Sequence, residues 1–96
     1  MDAPALILRA AAAVGGQTAL AAELRVSAAM VWQWGNGRRP VPIEYGAAIE
    51  RATGGAVTRR DLWPDAWGDI WPELVDAEHP WPELAARSDA PRAEVA

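Results

Sequence analysis

Apolar residues recur every three or four positions through the first 63 residues, which is the spacing of one face of an α-helix. Leu20, Ala21 and Leu24 show this spacing most clearly. No stretch of these residues alternates apolar and polar positions as a half-buried strand does. The pattern predicts an all-α domain. In the alanine-rich segment that comes first, the predicted apolar side consists of Leu6, Ala10, Ala13 and Val14.

Glycines, prolines and short polar residues divide the pattern into five predicted helices. Ser27 is a natural N-cap, because its hydroxyl accepts a hydrogen bond from a free amide of the first turn. Thr58 and Asp61 form a predicted capping box at the start of the fifth helix. This helix is expected to end at Trp63, because Pro64 disfavours a helical backbone at the residue before it. The short connections favour a compact five-helix bundle. The predicted helices lie at residues 4–14, 17–24, 27–35, 42–54 and 58–63.

After residue 63 the composition changes to tryptophan, proline and acidic residues. Trp-Pro followed by an acidic residue occurs three times, and the sequence WPEL occurs at 71–74 and again at 81–84. We therefore predict a domain at residues 1–63 and an acidic Trp/Pro-rich extension at residues 64–96. The extension is expected to pack on the domain to about residue 74 and to be disordered from about residue 85.

Two other interpretations of the extension stay open. Its exposed tryptophans suit a dimer interface or a docking site for a protein partner. Alternatively, its negative charge competes with DNA for the arginines of the domain. In that case truncation after Leu74 tightens non-specific DNA binding, whereas unchanged binding excludes the competition.

The net charge of −4 conceals two segments of opposite charge. Residues 1–60 carry seven arginines and four acidic residues, a net charge of +3, whereas residues 61–96 carry two arginines and nine acidic residues, a net charge of −7. A basic module followed by an acidic segment is therefore compatible with nucleic-acid binding, which the total charge alone disfavours.

Several classes of protein are disfavoured by what the chain contains. There is no cysteine and the only histidine is His79, so neither a disulfide scaffold nor a thiolate zinc site is expected. No nucleophile has a base beside it and no phosphate loop is present, so we expect no enzyme, no metal and no cofactor. No apolar run approaches the roughly 18 residues of a membrane span, and we expect a cytoplasmic protein.

Residues 17–34 fit the helix-turn-helix template. Its first helix needs a small residue where the second helix crosses it, and Ala21 supplies one. Arg25 occupies the turn position where the motif usually has glycine, and a left-handed backbone at a residue other than glycine costs about 1 kcal/mol. The apolar positions that the template buries are Leu20, Leu24, Val26, Val31 and Trp34.

This motif resembles the Cro/repressor class of phage regulators. More closely, GGQTALAAELRVSAAMVWQWGNGRRPVP at 15–42 and AIERATGGAVTRRDL at 48–62 resemble the Cro-like YdaS family of prophage helix-turn-helix regulators, some described as antitoxins. The resemblance extends over roughly residues 5–75. It implies that the second helix of the motif lies in the major groove of double-stranded DNA.

The resemblance also implies the residues that contact DNA. Gln33 is suited to pair with adenine. Arg38 and Arg39 are placed to reach phosphates. The start of the helix at 17–24 is placed to meet the DNA backbone. The full set is Gln17, Thr18, Ser27, Ala28, Ala29, Trp32, Gln33, Asn36, Arg38 and Arg39.

Each of these roles has a structural alternative. Tryptophans two positions apart point to different sides of a helix, so Trp34 is predicted to be core and Trp32 to be exposed. Trp32 contacts DNA or else folds over Met30 or a neighbouring loop. The arginines at 38–39 contact DNA or are solvated loop charges, and Arg59 belongs to a helix cap or contacts DNA.

The function predicted from these features is a sequence-specific DNA-binding transcriptional regulator, a repressor acting on a prophage-type operator near its own gene. A module this small contacts few base pairs, so a homodimer is expected. One alternative is an antitoxin that binds a toxin through the acidic tail and autoregulates its operon. Another is a protein-interaction adaptor without DNA affinity, which salt dependence of binding distinguishes.

Overall fold

Two of the longer helices of the protein begin at a residue whose side chain caps them. The computed structural model describes residues 2–81. Within them Asp2 accepts a hydrogen bond from the amide of Ala5 at 3.0 Å, and Ser27 accepts one from the amide of Met30 at 3.1 Å. Both side chains thus satisfy amides that the first helical turn leaves unpaired. The predicted N-cap at Ser27 is confirmed.

Residues 2–81 hold six α-helices, two 3₁₀ turns and no strand. The all-α prediction is confirmed, and the prediction of five helices is wrong. The unpredicted helix is α6, a single turn between two prolines, which is too short to show a periodic pattern. The helices are α1 (Ala3–Val14), α2 (Gln17–Leu24), α3 (Ala28–Gly35), α4 (Gly46–Ala52), α5 (Arg59–Leu62) and α6 (Trp67–Ile70), with 3₁₀ turns at Ile43–Tyr45 and Pro72–Leu74.

The described chain divides after Leu62 into two compact units. In the first, α1, α2 and α3 pack against one another, and α4 packs on α2 and α5. Trp34 is 1% exposed at the centre of this unit, and its ring lies 5.3 Å from that of Tyr45. The side chains buried with it include Ile7, Leu20, Val31, Ile49 and Val57.

The buried face of α1 differs from the predicted one. Ala13 is exposed and Val14 is only half-buried, whereas Ile7 and Ala11 are buried beside Leu6 and Ala10. Alanine occurs on every side of this helix, so its apolar pattern is nearly uniform and does not select a face. The packing partners on α2 and α3 select it instead.

The second unit is described from Trp63 to Trp81 and is built on paired tryptophans. The rings of Trp63 and Trp71 lie 5.4 Å apart, and those of Trp67 and Trp81 lie 5.0 Å apart, edge to face. The indole N–H of Trp81 donates to Asp69 at 3.1 Å. A Cβ atom on Gly68 would overlap the Trp81 ring, so this position requires glycine. The predicted disorder from about residue 85 lies outside the described residues.

No single helix in the described part of the chain is long and apolar enough to cross a membrane. Helices α1 and α2 meet the length and composition requirement only when taken together, and they are bent by 91° at the break between them.

Candidate nucleic-acid interface

The connection between α2 and α3 is a tight turn centred on Arg25. Its backbone has φ 61° and ψ 43°, which makes it the only residue other than glycine with a positive φ among residues 2–81. The amides of Arg25 and Val26 donate to the carbonyls of Ala22 and Ala21, at 3.3 and 3.0 Å. These bonds close the end of α2 and direct the chain into α3. The left-handed conformation expected at Arg25 is confirmed.

Helix α3 has one buried and one exposed side. Val31, Trp34 and Gly35 are buried. Ala28 and Ala29 are exposed, and Trp32, one turn further along, is 45% exposed. Because residues three and four apart lie on one face of a helix, these exposed positions form a continuous surface. The two tryptophans therefore lie on opposite sides of α3, as predicted.

Ser27 precedes this surface and Gln33 adjoins it. Ser27 is exposed, but its hydroxyl already accepts from Met30 as the N-cap. Gln33 is half-buried. Part of this residue is therefore accessible to a ligand.

The loop after α3 brings Arg38 to the ring of Trp32. The guanidinium carbon of Arg38 lies 5.6 Å from the centre of that ring. Asn36 uses its side-chain amide to donate to the carbonyl of Trp32 at 2.8 Å, so this group completes the helix end. Arg39 follows and is exposed. Two arginines therefore lie at the C-terminal end of the exposed surface of α3, and one of them contacts an aromatic ring.

Gln17 and Thr18 occupy the first turn of α2. Gln17 is half-buried and Thr18 is exposed. The N-cap residue of this helix is Gly16, whose φ is 129° and which has no side chain to accept from the first amides. These two residues lie on a different helix from the exposed surface of α3, and only the packing of α2 on α3 joins the two groups.

Arg59, the remaining arginine considered for DNA contact, is tied to α4. Its side-chain N–H donates to the carboxylate of Glu50 at 3.0 Å, and its backbone amide donates to the same oxygen at 2.9 Å. Thr58 and Asp61 exchange the two hydrogen bonds of the predicted capping box, at 2.9 and 3.0 Å. By this geometry Arg59 has a structural role, which is to join α5 to α4. Its bond to Glu50 was not predicted from the sequence, because no local pattern links residues nine apart.

The Glu50 carboxyl carries the shifted pKa of this first unit. Partial burial alone would raise its pKa, but the hydrogen bonds from the Arg59 backbone and side chain, with the charges of Arg59 and Arg60, lower it below the ordinary value of 4.5. The ion pair is therefore formed at neutral pH. In residues 2–81 no three histidine or acidic side chains converge as a metal site would require.

Comparison with known proteins identifies the chain's relatives. The family model described as "Bacterial toxin YdaS" matches residues 7–70. The chain belongs to the YdaS family. The family predicted from the sequence is thereby confirmed. The YdaS match begins within α1 and ends with α6, and all ten residues predicted to contact DNA lie inside it.

A curated YdaS relative from Escherichia coli (strain K12) is 51% identical over 57 residues and is named "Putative transcriptional regulator YdaS". The alignment covers 59% of this chain and 58% of the relative, so the chain matches less than two thirds of that protein. No solved structure matches the chain. The two YdaS descriptions name different activities, a toxin and a transcriptional regulator.

Proposed function

We propose that the protein is a sequence-specific regulator of transcription that binds double-stranded DNA through a Cro-like helix-turn-helix formed by α2 and α3. In this proposal it acts in the cytoplasm as a repressor at an operator near its own gene. The name of the Escherichia coli relative supports the regulatory role. The single observation that carries the DNA-binding part is the exposed side of α3, which continues into two arginines.

The proposed contacts follow from the chemistry of each group. The amide of Gln33 offers a donor and an acceptor that match the major-groove edge of adenine, and the methyl groups of Ala28 and Ala29 match those of thymine. Arg38 and Arg39 neutralise phosphates. Thr18, with Gln17, meets the DNA backbone at the start of α2, where free amides favour an anion.

A homodimer completes the proposal. An isolated recognition helix contacts few base pairs, and each of these discriminates by only about 1–3 kcal/mol. Two copies on a pseudo-palindrome, with half-sites about one helical turn apart, multiply the discrimination. Sedimentation equilibrium with and without operator DNA tests this step, and a monomer that occupies each half-site independently would contradict it.

The deciding experiment is a binding titration of the full chain against DNA that flanks its own gene and against unrelated DNA, at two salt concentrations. We expect tighter binding to the flanking DNA, weakening steeply as salt rises because phosphate contacts release counterions. Arg38→Ala with Arg39→Ala should weaken binding to both DNAs, whereas Gln33→Ala should reduce the preference between them.

The matched control is Arg51→Ala, which removes one exposed arginine from α4. It should leave the affinity within about twofold of the unsubstituted protein, since a single surface charge outside the proposed contacts contributes little at physiological salt. Equal, salt-insensitive affinity for the two DNAs would reject the proposal and favour the adaptor alternative.

A second candidate function is that of one component of a toxin–antitoxin system. The description of the family as a bacterial toxin favours it. The alternative drawn from the sequence was the antitoxin, with the acidic tail as the segment that binds the toxin. Induced expression in a bacterial host separates the two sides: growth arrest identifies a toxin, and rescue of growth from the product of an adjacent gene identifies an antitoxin. Testing Arg38→Ala with Arg39→Ala in the same assay shows whether either effect requires the arginines.

A further inference from the structure

Arg38 is held at two points, its backbone and its guanidinium. Its amide donates to the carbonyl of Gln33 at 2.8 Å, and the preceding Gly37 has a φ of 71° that turns the chain back over the last turn of α3. At its other end the guanidinium carbon lies 5.6 Å from the centre of the Trp32 ring. Both ends of a long, flexible side chain are thereby restrained on an exposed surface.

A contact with an aromatic ring and a contact with a phosphate can use different parts of one guanidinium. A guanidinium over an aromatic ring is attracted through its face by the ring quadrupole. All five of its N–H donors lie in its own plane and remain available at the edge. Two of them match the two oxygens of one phosphate, so a restrained arginine loses less side-chain freedom when it binds DNA.

We propose that Trp32 is a positioning residue, which acts on DNA by holding Arg38 toward a backbone phosphate. The inference rests on the proposed DNA-binding function and changes one part of it, because Trp32 then contributes affinity for any duplex and no preference for a base sequence. Arg39, the next residue, is exposed and does not share this ring contact in the described part of the chain, so it serves as the comparison.

The test is a double-mutant cycle, measured by fluorescence anisotropy with a labelled duplex from the DNA flanking the gene and a labelled duplex of random sequence. Trp32→Ala should weaken binding to both duplexes equally, by roughly three- to fivefold. The same substitution should have almost no effect when Arg38→Ala is already present. In an Arg39→Ala background it should keep its full effect.

Conservative variants separate positioning from simple loss of structure. Trp32→Phe keeps an aromatic face for the cation and should restore at least half of the lost affinity on a logarithmic scale, whereas Trp32→Leu, which keeps apolar area only, should not. Trp32 is 45% exposed, so its replacement removes some buried apolar area and should lower the unfolding temperature by a few degrees. Binding is therefore measured at a temperature at which circular dichroism shows every variant fully folded.

An equal effect of Trp32→Ala with and without Arg38 would overturn the inference, since the ring would then contact DNA itself. A change in the preference between the two duplexes would overturn it as well, because that result identifies a base contact. Failure of the unsubstituted protein to bind either duplex would instead overturn the proposed function, and this inference with it.

Discussion

At the scale of single residues, two features follow from local rules. One is the left-handed backbone at Arg25, and the other is the burial of Trp34 beside the exposure of Trp32 on the same helix. Arg25 adopts φ 61° because the tight turn between α2 and α3 requires a left-handed residue. Trp32 and Trp34 diverge because they are two positions apart on one helix. The contact of Trp32 with Arg38 follows from no such rule, since it depends on the course of a glycine-containing loop.

The turn makes a quantitative prediction at Arg25. Arg25→Gly should change the free energy of unfolding by less than about 1 kcal/mol, because the relief of left-handed strain is offset by the greater freedom of glycine in the unfolded chain. Arg25→Val should lower it by about 1–2 kcal/mol, since a branched side chain is poorly tolerated at positive φ. Urea denaturation measures both. Equal stability of the two variants would show that the turn relaxes to another conformation.

At the scale of elements, the sequence predicts helices better than it predicts which of their faces are buried. The bounds of α2 and the caps at Ser27 and Thr58 follow from residue types whose hydrogen bonds are made within a few positions. The predicted buried face of α1 was right for Leu6 and Ala10 and wrong for Ala13 and Val14, because alanine distinguishes no side. The single-turn α6 and the bond from Arg59 to Glu50 were missed, since both depend on tertiary packing rather than on local periodicity.

The stabilisation that the ion pair between Arg59 of α5 and Glu50 of α4 gives the fold should depend on pH. Its pKa in the folded protein lies below the ordinary value of 4.5, so folding favours the carboxylate. The resulting stabilisation is complete above about pH 4.5 and is lost as the pH falls through the folded pKa. Glu50→Gln should therefore reduce stability at pH 7 and flatten its decline below pH 4.5. Denaturant titrations at several pH values measure this, with Glu44→Gln on an exposed site as the control. An unchanged pH profile would show that the pair contributes nothing.

At the scale of the whole molecule, charge is distributed so that the first unit is basic and the rest is acidic. Through residue 62 the chain has seven arginines and five acidic residues, and from residue 63 it has two arginines and eight acidic residues. This asymmetry motivates the hypothesis that the acidic segment competes with DNA for the arginines at 38–39. Truncation after Leu74 is a poor test of it, because that cut also removes Trp81 from its contacts with Trp67 and Asp69.

Charge substitutions beyond Trp81 test the competition while keeping Trp81 in the chain. Replacing Glu83, Asp89 and Glu94 with glutamine or asparagine changes the net charge of the chain from −4 to −1. Competition predicts tighter binding to random-sequence DNA at low salt and a difference that disappears at high salt, where charges separated by more than a Debye length are screened. Converting Arg87 and Arg92 to glutamine is the opposite control and should weaken binding. Equal affinities for all three proteins at low salt would mean that the acidic segment acts on something other than DNA binding.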